Sequence, residues 1–77
     1  MITVGTVVKS VAGRDQGRYY MVTKLEGQAV YIADGKLRRL SRPKRKNQKH
    51  LQLTNHAITP TPQLTDKQLR KALTILD

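Results

Sequence analysis

Cysteine, tryptophan and phenylalanine are all absent from this chain, and acidic side chains are scarce. Without cysteine there is no disulfide framework, no thiolate metal site and no cysteine nucleophile, which fits an intracellular, cytoplasmic setting. Three tyrosines are the only aromatics, and 38% of the 77 residues are apolar, so any core is thin. A chain this short buries only about 60% of its unfolded surface and has room for one domain with little appended. Long apolar runs are missing as well. No stretch approaches a membrane span, and Met1-Ile2-Thr3-Val4-Gly5 has neither the basic start nor the apolar core of a secretory signal. The expectation is a soluble protein with no membrane partner.

Catalysis finds few candidates. His50 and His56 have no acid nearby in sequence to orient them and no metal-ligand spacing, and the five carboxylates are scattered over turns and a C-terminal helix. Gly13 to Gly17 is glycine-flanked, but no Lys-Ser/Thr and no helix follow it, so a nucleotide-cradling loop is not supported. We expect no enzymatic activity, no cofactor, no metal and no small-molecule substrate.

What the chain does have is positive charge. Fifteen Lys and Arg stand against five Asp and Glu, for a formal net charge of +10, and such a body attracts polyanions. The excess is local. Residues 1 to 34 are nearly neutral, whereas Lys36, Arg38, Arg39, Arg42, Lys44, Arg45, Lys46 and Lys49 occur with no acidic residue among them. Each such cation releases condensed counterions when it meets a phosphate, and the arginines add planar forks for bidentate contact. Any one of these side chains alone is expected to be merely solvated; the uncompensated run is what points to nucleic acid.

Hydrophobic alternation outlines the architecture. Val4 to Lys9, Arg18 to Leu25 and Gln28 to Ala33 are rich in β-branched and tyrosine residues and read as three strands. Glycine turns separate them, and Asp34-Gly35 predicts a two-residue type I′ turn into a fourth strand, Lys36 to Leu40, which Pro43 ends. Pro43 to Gln48 reads as an exposed loop, and Leu51-Gln52-Leu53 as a closing strand. Strands this short and this many favour a closed barrel over an open sheet. A proline-containing linker over 55–64 then leads to a helix over 65–76. Its signals are Thr65 as N-cap, Gln68 as capping-box partner, a Leu64 staple onto Leu69, and an apolar face of Leu69, Ala72, Leu73 and Leu76. That face is expected to dock on the barrel or on a partner. Of the neighbours Tyr19 and Tyr20, one must face in and the other out; if Tyr20 packs inside with Val22, Tyr19 stands outside beside Arg18, either to stack on a base or as a plain cross-strand partner.

The stretch from Val4-Gly5-Thr6-Val7-Val8 through Gly13-Arg14-Asp15-Gln16-Gly17-Arg18 resembles a KOW motif, with its Gly-x-Val-Val strand and Gly-[Lys/Arg]-Asp-x-Gly turn. With Asp34-Gly35-Lys36-Leu37-Arg38-Arg39-Leu40 and Lys49-His50-Leu51-Gln52-Leu53-Thr54, the chain is similar to short bacterial KOW-domain proteins related to eukaryotic-type large-subunit ribosomal proteins. The resemblance covers about residues 2 to 54. It implies a mostly β fold, a small SH3-like barrel over 1–54, with RNA binding and ribosome association. By position it makes Arg14 and the Gly13 to Gly17 backbone the RNA-contacting turn, although Gln16 stands where many relatives have Lys. It carries nothing onto the helix. The expected RNA-binding residues are Lys9, Gly13, Arg14, Gly17, Arg18, Lys36, Arg38, Arg39, Arg42, Lys44, Arg45, Lys46, Lys49 and His50, with ribosomal RNA as partner. Two other readings are a KOW-type transcription elongation or antitermination factor, and a protein-interaction module that docks an acidic partner.

Overall fold

The computed structural model describes residues 2–76. Five antiparallel strands form one sheet: β1 (Thr6–Ser10), β2 (Tyr19–Glu26), β3 (Ala29–Ala33), β4 (Lys44–Asn47) and β5 (Leu51–Ala57), in the order β4-β3-β2-β1-β5. Strand alternation sorts the apolar residues into two thin layers. Val8, Tyr20, Val22, Val30 and Ile32 lie on one face, where Ile2 and Leu51 join them. Val7, Met21 and Ala33 lie on the other, in register across three strands.

That second row would face water were it not for the α-helix α1 (Asp66–Thr74). Leu69 and Leu73 are buried against Val7, Met21 and Ala33, with Tyr19, Leu40, Ile58, Leu64 and Leu76 at the margin. The helix starts where the sequence signals it. The Thr65 hydroxyl accepts from the Gln68 amide and the Gln68 side chain accepts from the Thr65 amide, both at 3.1 Å. These two bonds satisfy two amide donors at the helix start that lack a backbone partner. The face docks on the sheet, which settles one of the two docking sites the sequence leaves open. Among the described residues, no helix is long and apolar enough to cross a membrane.

The β2–β3 connection is a two-residue turn, Gly27-Gln28, with φ 62° at glycine alone, which fits the II′ arrangement. The Asp34-Gly35 turn departs from expectation. Among the described residues no non-glycine has positive φ, so a type I′ turn at Asp34-Gly35 is excluded, and Lys36 to Leu40 forms no strand. Instead the Asp34 carboxylate accepts from the amides of Lys36 (2.9 Å) and Arg38 (2.8 Å), and the Asp34 and Gly35 amides donate to the Arg38 carbonyl. This side-chain capping winds the chain into a compact loop. Gly35 sits beneath the helix start with φ 78°, and a Cβ there would collide with the Asp66 carbonyl oxygen.

The fourth strand is the segment the sequence presents as an exposed loop. Lys44 to Asn47 pairs with Ile32 to Ala29. The last strand runs past residue 54 to Ala57, three residues into the expected linker. It is irregular where the Thr54 hydroxyl donates to the Val7 carbonyl at 2.7 Å and accepts from the His56 amide.

Candidate nucleic-acid interface

β4 alternates like any half-buried strand, except that its inward residues are Lys44 and Lys46. The Lys46 ammonium stands 2.5 Å from the Asp15 carboxylate and donates to the Ser10 hydroxyl (2.6 Å) and the Ala12 carbonyl (3.0 Å). The Ser10 hydroxyl in turn donates to Asp15 at 2.8 Å. Burial raises the Asp15 pKa, but the hydrogen bonds from Lys46 and Ser10 and the charges of Lys46 and Lys44 outweigh it and hold the carboxyl well below the usual carboxylate range. The cluster ties the sheet's β4 edge to the β1–β2 turn, three strands away.

Lys46 is therefore not the solvated loop cation expected. Its side chain is only 9% exposed and its three donors are occupied within the protein. Lys44 lies 3.4 Å from Asp15 and is half-exposed, so it is shared between this cluster and the surface. Asp15 itself appears in sequence only as a turn residue, and nothing local marks it as the partner of a lysine 31 positions away.

Among the described residues, Arg14, Arg18, Lys36, Arg38, Arg39 and Arg42 make no ion pair. Arg14 and Arg18 of the β1–β2 turn line one open cleft with Leu37, Arg38 and Lys44, so the turn and the 36–42 loop present their charge together. Arg38 also borders a second, adjoining cleft with Lys36, Arg39 and Arg42. Gly13 and Gly17 supply positive-φ backbone at the ends of the turn, whose Gly17 amide donates to the Ser10 carbonyl. Tyr20, which borders the first cleft, is buried; burial, then the negative charge of Asp15 and Asp34, pushes its hydroxyl up to about 12, so it stays neutral. Tyr19 is half-buried on the opposite face, as the strand alternation requires.

Three expected residues lie apart from this surface, and a fourth points away from it. Lys9 sits over the Tyr19 ring, 5.6 Å from its centre. Lys49 and His50 belong to a 3₁₀ turn, Gln48–His50, at the far end of β4, where the Gln48 amide donates to Gln28. Arg45 points outward opposite Tyr31, which Lys24 also covers at 5.4 Å. Conversely, the helix contributes Arg70 to a cleft with Arg18 and Lys36. Sequence periodicity places Arg70 only beside the apolar stripe, and gives no sign of which strand it meets.

No protein-family model matches the chain, and none of the curated proteins matches it.

Proposed function

We propose that this chain is a small RNA-binding protein on an SH3-like barrel of KOW type, and that it grips the phosphate backbone of structured RNA, ribosomal RNA above all, in association with the ribosome. The observation that carries this reading is the joint cleft, where Arg14 and Arg18 of the glycine-flanked turn meet Arg38 of the loop without an acidic side chain left to answer them. Asp15, the one carboxylate at the cleft, is already committed to Lys46 and Lys44. The barrel reading draws support from the strand order and from the Lys46 bridge between β4 and the β1–β2 turn. Recognition is by backbone and shape, because the one aromatic that lines the joint cleft, Tyr20, is buried and offers no face on which a splayed base would stack.

Titration against ribosomal RNA fragments tests it. Joint replacement of Arg38, Arg39 and Arg42 by Ala should weaken binding strongly, and Arg14→Ala should weaken it further, with thermal melting unchanged. A folded triple variant that binds RNA as well as the parent sinks this face and turns attention to an acidic protein partner. Co-sedimentation with ribosomal subunits separates a ribosomal role from one in transcription.

A further inference from the structure

α1 packs its apolar stripe on the sheet, and that packing fixes what its flank presents. Arg70, one position beyond the buried Leu69, donates through Nη1 to the Gly35 carbonyl at 3.3 Å. This anchors the guanidinium at the Asp34-Gly35 turn while using one of its five N–H donors. Arg18, at the end of the β1–β2 turn, and Lys36, just after the Asp34-Gly35 turn, line the same cleft, and Tyr19 and Leu73 form its apolar wall. Three separate elements thus bring a cation to one concavity. The carboxylate present, Asp34, has its Oδ1 committed to the Lys36 and Arg38 amides. Among the described residues, the ion pairs are Lys24 with Glu26 and Lys44 and Lys46 with Asp15, so Arg18, Lys36 and Arg70 have no acidic partner.

We infer that this cleft is a phosphate site, in which Arg18, Lys36 and Arg70 hold one phosphodiester of the RNA whose neighbouring phosphates lie against Arg14 and Arg38. The inference rests on the RNA-binding reading. Arg18 borders both clefts, so a backbone that lies along it meets the β1–β2 turn on one side and the helix on the other. The bond to the Gly35 carbonyl biases the Arg70 guanidinium towards the cleft, and its forked donors match a phosphate's oxygens. The helix is then part of the binding surface as well as a cover for the sheet.

Inorganic phosphate, added to the full chain at constant ionic strength with chloride as control and followed by amide NMR, reads the site directly. Saturable shifts at Gly35, Lys36 and residues 70–74 are expected, lost in Arg70→Gln and partly kept in Arg70→Lys. RNA should displace the phosphate, and Arg70→Gln, still folded by its melting curve, should bind RNA roughly tenfold more weakly, the effect of removing one charged hydrogen bond. Small non-saturating shifts at every surface cation overturn the site, and so does phosphate bound at the cleft that RNA leaves in place. If the wild type binds RNA and the folded Arg70→Gln protein binds it equally well, this inference fails while the RNA-binding reading stands. A wild type that binds no RNA defeats that reading itself, whatever Arg70→Gln does.

Discussion

Replacing Lys46 with alanine removes the ammonium that Asp15 and Ser10 face and leaves the buried Asp15 carboxylate with only the Ser10 hydroxyl and the half-exposed Lys44, 3.4 Å away. Breaking a buried ion pair from one side typically costs about 3–5 kcal/mol, so Lys46→Ala should lower stability by roughly 3 kcal/mol in urea melts, whereas Arg45→Ala, one residue away and exposed, should cost under about 0.5 kcal/mol. Two lysine-length cations in one basic run thus part company on burial alone. The same cluster fixes a pH dependence. The folded chain holds Asp15 below its ordinary value of 3.8, so its contribution is complete above that pH and is lost as the pH falls further towards the folded-state pKa. Melts stepped from pH 7 down to 2 should show this acid loss, and Lys46→Ala should show less of it. A variant with unchanged acid sensitivity would mean that another carboxylate dominates.

Among the elements, those with local causes are legible in the sequence and those with distant causes are not. The Thr65/Gln68 capping box is written within four residues, and β1 to β3 are written in their own β-branched and tyrosine alternation. β4 is different: its inward positions are Lys44 and Lys46, so its alternation carries no hydrophobic signal, and it reads as a loop until the pairing with Asp15 is known. The 36–42 loop is misjudged for the converse reason, since the Asp34 carboxylate and a bond from the Leu40 amide to Asp66 (2.8 Å) hold it in a shape that no strand pattern reveals. For the site, the sequence shows the basic run and the glycine-flanked turn but not that Lys46 is consumed internally or that Arg70 lines a cleft with Arg18 and Lys36. The helix is an element whose worth is measurable. Leu69→Ala, at a fully buried position, should cost about 2–5 kcal/mol, and Thr65→Ala about 1 kcal/mol through the missing cap. Truncation before Thr59 should lower the melting temperature, because it bares Val7, Met21 and Ala33. An unchanged melting temperature would mean that the docked helix adds nothing to the fold.

At the scale of the whole molecule, a formal charge of +10 makes attraction to any polyanion unsurprising, so affinity at one salt concentration says little about a site. The salt dependence says more, because it reports how many phosphates the protein neutralises: the slope of log affinity against log salt is about −0.9 per phosphate on duplex and about −0.7 on single strands. If binding uses the cleft surface, only cations lining it contribute. Replacing Arg38, Arg39 and Arg42 together should then flatten the slope by up to roughly 3, about one for each phosphate left without its cation. Replacing Lys24, Arg45 and Lys49 removes the same formal charge from places away from the clefts and should leave the slope nearly unchanged. The comparison holds net charge constant between the two variants and changes only its position. Isothermal titrations with one ribosomal RNA fragment across about 50 to 200 mM salt would decide it, within the range over which such phosphate neutralisation is resolved. Equal flattening in both variants would mean that the protein binds as a diffuse positive body and that no face of it is a site.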